Sequence, residues 1–178
     1  MANTFFISDH HFGHKNILTF TNPDGSLLRS FASIEDMNEH MIDAWNRVVK
    51  PTDSVYHLGD VSMSHTQLHY IGRCNGVKTL IKGNHDTAKL SEYMLYFKDV
   101  RGSHQFDGNL LTHIPVHVST MYRWRCNFHG HLHNNVIKCE VWIDGDTEVV
   151  PDIRYFNVSV ERLNYIPISY DEIQKALT

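Results

Sequence analysis

Five short polar segments alternate with apolar stretches along the chain, and each carries side chains that bind metal ions. The segments are Asp9-His10-His11, Gly59-Asp60, Gly83-Asn84-His85-Asp86, Thr112-His113 and Gly130-His131-Leu132-His133. Oxygen and imidazole nitrogen donors suit divalent ions such as Mn, Fe, Zn or Ni better than they suit metals that prefer thiolates. The order of these segments predicts a metal-dependent hydrolase.

The first half of the chain shows an alternation of strand and helix patterns. Residues 4–8, 54–58 and 77–81 have the apolar, β-branched and aromatic content of buried strands. Helical spacing over residues 34–48, after a capping Ser33, and over residues 68–72 separates them. Such alternation predicts parallel strands in an α/β fold, with the polar segments gathered at the carboxyl ends of the strands.

The second half is predicted to be mostly β. The sequence indicates strands at residues 109–112, 126–129, 136–143 and 156–160, a hairpin turn at 144–146, and helices near 90–97 and from Asp171. No repeat or linker interrupts the chain, so residues 1–178 are predicted to form a single domain.

Composition narrows the class of protein. The formal net charge of -4 disfavours a broad basic surface for nucleic acid. Cys74, Cys126 and Cys139 form neither an even set nor a C-x-x-C pair, so a disulfide framework is not expected. With no basic leader and no apolar run of about 18 residues, we expect a cytoplasmic protein without a membrane span.

The polar segments can be divided between two cations. In an extended chain, residues two apart project to the same side, so Asp9 and His11 can reach one ion. Asp60 is the natural bridge, because a carboxylate has two oxygens. The first ion is then assigned to Asp9, His11, Asp60 and His133, and the second to Asp60, Asn84, His113 and His131.

Such a dinuclear centre predicts a reaction. Two divalent ions lower the pKa of bound water, supply hydroxide for attack on phosphorus, and clamp the phosphoryl oxygens. His85 follows a predicted ligand, so its imidazole could act as a general acid or stabilise the transition state. Asp86 either orients His85 or caps the following helix. We therefore assign catalysis to His85 and to Asp60.

These motifs resemble those of the calcineurin-like metallophosphoesterases, in the same order from Asp9 to His133. The resemblance implies an α/β fold with a central β-sandwich flanked by helices. It also implies two metals with the division above, hydrolysis of phosphate mono- or diesters, and His85 as the catalytic histidine. The flanking sequence resembles a small stand-alone branch common in bacteria and their viruses. Val61-Ser62-Met63-Ser64 replaces the Asp-Arg-Gly of the protein phosphatases, which disfavours phosphoprotein substrates.

The expected substrate is a small phosphorylated compound, such as a nucleotide or cyclic nucleotide. Arg29, His14 and Arg123 are candidate substrate contacts, because guanidinium and imidazole groups pair with phosphate. Mn or Fe is the expected metal, with Zn or Ni as alternatives. A nuclease or nucleic-acid phosphatase with the same centre is a second hypothesis, and a non-catalytic protein-binding scaffold is a third. The sequence leaves the oligomeric state open.

Overall fold

The computed structural model describes residues 2–177 and contains the following elements. The strands are β1 (Thr4–Ile7), β2 (Ser54–His57), β3 (Val77–Ile81), β4 (Asp99–Arg101), β5 (His104–Phe106), β6 (Asn109–Leu111), β7 (Asn127–His129), β8 (Lys138–Ile143), β9 (Asp146–Pro151), β10 (Tyr155–Asn157) and β11 (Ile168–Ser169). The α-helices are α1 (Ile34–Val48), α2 (His69–Gly72), α3 (Leu90–Tyr93) and α4 (Tyr170–Ala176), and 3-10 helices span Lys15–Thr19, His65–Gln67 and Val118–Arg123.

A five-stranded sheet has the order β11-β1-β2-β3-β4. β1, β2, β3 and β4 pair in parallel, as the strand and helix alternation predicts for the first three, whereas β11 pairs antiparallel with β1. The register places Ile7 beside His57 and His57 beside Leu80. The carboxyl ends of β1, β2 and β3 therefore lie next to one another at the same end of the sheet.

A second sheet has the order β10-β7-β6-β5, and β8 pairs with β9 as a separate hairpin. The predicted strand at 156–160 is divided between the two sheets. β10 pairs with β7, but the next residues turn to the first sheet, where Ser8 donates its N–H to Val158 and accepts from the N–H of Val160. This crossing brings Glu161 to the edge at which β1 ends.

Two apolar clusters hold the layers together. Strand β1 supplies both, because its side chains alternate: Phe5 and Ile7 join one cluster, and Phe6 joins the other. The first cluster lies under α1 and includes Trp45. The second lies between the two sheets, where the rings of Phe6 and Phe128 are 5.3 Å apart. The five-stranded sheet is therefore a layer between α1 and the second sheet.

The helices differ from the sequence prediction mainly in length. α1 begins after Ser33, whose side chain accepts the N–H of Asp36 as predicted. α3 ends at Tyr93, although helical spacing predicted a helix to residue 97, because the N–H of Tyr96 bonds the carbonyl of Tyr93 in a turn. None of the helices within residues 2–177 combines the length and apolar character that crossing a bilayer requires.

Candidate metal centre

The predicted ligands follow strands that end close together. Asp9 follows β1, Asp60 follows β2 and Asn84 follows β3 of the parallel sheet. His113 follows β6, and the segment with His131 and His133 follows β7. The two sheets thus deliver side chains from distant parts of the sequence to one place.

Six of these side chains form two groups. In the first group, one ligand atom from each of Asp9, His11 and His133 lies within 4.8 Å of the others. In the second group, the ligand atoms of Asp60, His113 and His131 meet the same distance limit. Each group could hold a metal ion, and the grouping agrees with the division made from the sequence.

Asp60 and Asn84 complete the arrangement. Asp60 Oδ2 lies 3.5 Å from His11 Nε2 in the first group and 3.2 Å from His113 Nε2 in the second. Asn84 Oδ1 lies 3.0 Å from the same His113 nitrogen. The carboxylate of Asp60 therefore faces both groups, and Asn84 adds a neutral oxygen to the second.

The backbone at the ligands has an uncommon conformation. Five of the ligand residues have positive φ, in the region that non-glycine residues rarely adopt: Asp9 (60°), His11 (49°), Asp60 (56°), His131 (69°) and His133 (50°). Such conformations are costly unless the surrounding structure imposes them, and they cluster at functional sites. The strands therefore end in tight left-handed turns that direct these side chains into the site.

The glycines of the motifs leave room for the ligand carboxylates. A Cβ on Gly83 would collide with Asp60 Oδ1 and lie 2.6 Å from the Asp60 nitrogen. A Cβ on Gly130 would collide with Asp9 Oδ2 and lie 2.5 Å from Ser8 Oγ. The backbone approaches the carboxylates too closely for any side chain. This close approach explains why a glycine precedes Asn84 and His131.

Charged side chains support the first group. Glu161 Oε1 accepts a hydrogen bond from His133 Nδ1 at 2.9 Å and pairs with Arg29 Nη2 at 2.7 Å. Burial alone would raise the pKa of Glu161, but the charge of Arg29 and the hydrogen bond from His133 lower it to about 2. An ionised carboxylate only accepts, so Nδ1 carries the proton and Nε2 of His133 is left for a metal.

Sequence reasoning missed Glu161, although a signal existed. Glu161 directly follows the apolar segment ending at Val160, as Asp9 follows the first strand. The same rule that identified Asp9, an acid at the end of a buried strand, would have selected it.

The structure corrects the prediction that Arg29 contacts the substrate phosphate. The side chain is buried, with 1% of the residue exposed. Its guanidinium donates to the carbonyl oxygens of Asp9 and His10 and to Glu161. With its donors occupied inside the protein, Arg29 positions the backbone of the first group and does not face the substrate.

Main-chain groups support the second group. His113 Nδ1 lies 2.7 Å from the carbonyl oxygen of Leu58, which can only accept, so Nδ1 donates and Nε2 faces Asp60. Asp86 accepts the N–H groups of Asp60 and Gly83 at 2.8 Å and that of Val61 at 3.0 Å. Asp86 therefore neither orients His85 nor caps a helix. It joins the ends of β2 and β3.

The protonation states of His11 and Asp60 suit the binding of cations. Both ring nitrogens of His11 are buried without a hydrogen-bond partner among residues 2–177. Burial lowers the pKa of His11 to about 2, so the ring is neutral. Burial would raise the pKa of Asp60, but the hydrogen bond and charge of His113 lower it to about 2, so this group is ionised. Neutral imidazole and ionised carboxylate are the forms that bind metals.

The surroundings of His113 also favour a positive charge. Burial acts to lower its pKa, yet the hydrogen bond to Asp60 and the charges of Asp9 and Asp60 raise it. The carboxylates of Asp60 and Asp9 thus favour a positive charge on the His113 ring. A metal ion would supply positive charge there in place of a proton.

The other predicted site residues are His85, His14 and Arg123, and they differ in how close they lie to the ligand groups. The His85 ring is exposed, 5.5 Å from that of His11, and its N–H bonds Asp60 Oδ1 at 2.9 Å. The His14 ring is 5.8 Å from that of His11. Arg123 is exposed at the end of a 3-10 helix, and its side chain forms no hydrogen bond or ion pair within residues 2–177. The structure thus brings His85 and His14 beside the ligands and gives Arg123 no contact there.

Comparisons with known proteins reveal relatives of this chain. No protein-family model matches it. The uncharacterized protein MJ1445 of Methanocaldococcus jannaschii is 33% identical over 181 residues, which cover 99% of this chain and 92% of that protein. The Gene 66 protein of Mycobacterium phage L5 is 38% identical over 94 residues, 48% of this chain and 41% of that protein.

A solved structure is similar along its whole length. It is the crystal structure of the protein of unknown function AQ665 from Aquifex aeolicus, with a TM-score of 0.72 and 28% identity, covering 99% of this chain and all (100%) of that one. Given the extent of both full-length similarities, the chain belongs to the family of MJ1445 from Methanocaldococcus jannaschii.

Proposed function

We propose that this protein is a calcineurin-like metallophosphoesterase that uses two divalent cations to hydrolyse phosphate mono- or diesters of small molecules. The observation that carries the proposal is the position of Asp60. Its Oδ2 lies 3.5 Å from a nitrogen of the first ligand group and 3.2 Å from one of the second. A carboxylate between two sets of metal-binding side chains is the arrangement that bridged metal pairs need.

The fold supports the same proposal. Two sheets share an apolar cluster, and α1 covers the outer face of the five-stranded sheet. This layered arrangement supports the central β-sandwich that the resemblance implies. The ligand segments lie at the edge where parallel strands end, which is where open α/β sheets place their sites.

The ligand residues have separate tasks in this proposal. Asp9, His11 and His133 would hold one cation, and His113, His131 and Asn84 would hold the other. Asp60, which faces both groups, would contribute to both. When bound, such a pair of cations activates water at neutral pH and neutralises charge on the phosphoryl oxygens. The nitrogen and oxygen donors suit Mn or Fe, and also accept Zn or Ni. Two divalent ions would balance the formal charge of -4.

His85 is the proton donor to the leaving oxygen in this proposal. Its main chain is fixed by the bond to Asp60, while its imidazole is exposed beside His11. The ring can therefore reach a phosphate ester bound over the ligands without giving up a structural contact. His14, whose ring lies 5.8 Å from that of His11, would orient the phosphate.

The experiment measures hydrolysis of p-nitrophenyl phosphate and its bis-ester by purified protein with added Mn. Asp60→Asn keeps the shape of the side chain but removes its charge, and should lower kcat/KM by about 10³-fold. Asp146→Asn, which changes an exposed carboxylate of the β8–β9 hairpin, should leave the rate unchanged. Equal activity of the Asp60→Asn variant and the unmodified protein would refute the proposal.

A further inference from the structure

A cleft opens beside the first ligand group. It has a volume of about 540 Å³, and its walls include Phe20, Thr21, Asn22, His133 and Asn135. His133 is also a member of the first ligand group. Among residues 2–177, those that line the cleft include no Lys, Arg, Asp or Glu. A molecule bound through its phosphate at the ligands would place an uncharged part here.

The walls of this cleft are held in place. The loop that carries Phe20 is closed by a hydrogen bond from the N–H of Leu28 to the Phe20 carbonyl at 2.7 Å. The loop is joined to the opposite wall, where Asn134 Nδ2 donates to Asn22 Oδ1 at 2.9 Å. A hydrogen bond thus connects the loop that carries Phe20 to the segment that carries Asn135.

Phe20 presents an apolar ring inside the cleft. Its centroid lies 5.6 Å from that of His14, with the rings at 80°, and 46% of the residue is exposed. Exposed single aromatic residues are common on protein surfaces. This one differs because it contacts the ring of His14 and lines a cleft that His133 of the first ligand group also lines. A flat ring stacked on it would remove apolar surface from water.

Asn135 provides hydrogen-bonding capacity in the same cleft. Its backbone carbonyl accepts from Asn157, whereas its side-chain amide is exposed and has no partner within residues 2–177. An amide offers both a donor and an acceptor, which matches the paired groups on the edge of a nucleobase. An aromatic face and a free amide together fit a planar heteroaromatic group.

We propose that this cleft binds the base of a nucleotide ester, with Phe20 stacking on the base and Asn135 bonding its edge. The inference rests on the proposed function, since it assigns the phosphate of the same molecule to the ligand groups. It makes Phe20 a specificity residue and not a catalytic one.

The kinetic test compares two diesters that share one leaving group, thymidine 5′-p-nitrophenyl phosphate and methyl p-nitrophenyl phosphate. Because a base that stacks on an aromatic side chain binds more tightly, Phe20→Ala should raise KM for the thymidine ester by about 10-fold. The value of kcat, and both constants for the methyl ester, should stay unchanged. Phe20→Trp should restore the low KM. Equal losses on both esters, or no change on either, would overturn the inference.

A binding measurement separates this inference from the proposed function. Titration of the protein with thymidine monophosphate in the presence of Zn, which is diamagnetic, should shift the Phe20 ring signals in the NMR spectrum, and Phe20→Ala should weaken binding. Shifted signals without cleavage of either ester would keep the cleft assignment and reject the phosphoesterase. Absence of any shift at Phe20 would reject the cleft assignment itself.

Discussion

A buried ion pair lies behind the ligand group of Asp9, His11 and His133, whereas hydrogen bonds to main-chain groups support the group of Asp60, His113 and His131. Behind the first group lies the buried pair of Arg29 and Glu161. Behind the second lie the carbonyl of Leu58 and the amides that Asp86 accepts.

Because their supports differ, the two ligand groups should respond differently to substitution. A buried ion pair with one partner neutralised leaves an uncompensated charge, so the first group should be sensitive to conservative changes in charge. The second group is tied to the ends of β2 and β3, so a change there should affect folding before it affects metal binding. Substitutions at Asp86 and Glu161 separate these two forms of support.

The largest effect is expected at Asp86. Asp86→Asn replaces one acceptor oxygen by an NH₂ group that faces backbone N–H donors. The lost charge-assisted bonds and the unsatisfied buried group should lower the free energy of unfolding by about 3 kcal/mol. Urea denaturation of the metal-free protein measures it. A loss below about 0.5 kcal/mol, the range of ordinary surface changes, would contradict the structural role given to Asp86.

A smaller effect, on metal binding, is expected at Glu161. Glu161→Gln keeps the side-chain shape but weakens the acceptor for His133 Nδ1 and leaves Arg29 without its charge partner. Loss of such a supporting carboxylate weakens metal affinity by about 10–100-fold. Calorimetric titration with Mn should show one weakened site and one unchanged site. Glu148→Gln, on an exposed strand of the hairpin, is the control. Equal weakening of both sites would remove the distinction between the groups.

A third effect, on how stability changes with pH, concerns a histidine pair that connects the two regions. His10 lies between two ligands of the first group, and its Nδ1 is 2.8 Å from His57 Nε2. His57 Nδ1 accepts the N–H of Gly59, which precedes Asp60. Burial lowers the pKa of His57 to about 3 and that of His10 well below its ordinary value. Both rings are therefore neutral in the folded protein.

The lowered pKa of His57 determines how the free energy of unfolding changes with pH. Between about pH 6.5 and pH 3 the unfolded chain binds a proton at His57 that the folded chain does not, so stability falls as pH falls. Each such group contributes about 1.4 kcal/mol per pH unit. In metal-free protein, His57→Gln should make the plot of unfolding free energy against pH shallower by that amount. An unchanged slope would mean that His57 is protonated in the folded state.

The sequence was sufficient to predict which side chains assemble at the site. Asp9, Asp60 and Asn84 follow strands of one parallel sheet, and the carboxyl ends of such strands necessarily share an edge. Periodicity also predicted α1 and its cap at Ser33. These features depend on local patterns and on a general rule of sheet topology.

The pairing of the supporting residues Arg29 and Glu161 could not be predicted in the same way. Arg29 and Glu161 are 132 residues apart, and nothing in either local sequence indicates that they meet. Arg29 was assigned to phosphate because guanidinium suits phosphate, but a buried carboxylate and two carbonyls satisfy it equally well. The two-residue strand β11 was missed because it is too short to show alternation.

The sharing of Asp60 by two cations can be tested directly by electron paramagnetic resonance of the Mn-loaded protein. Metal ions about 3.5–4 Å apart and joined by a carboxylate are magnetically coupled. We predict two Mn per chain by elemental analysis and the spectrum of an exchange-coupled pair, which Asp60→Asn abolishes. Two Mn with the six-line spectrum of isolated ions, or one Mn per chain, would contradict a centre bridged by Asp60.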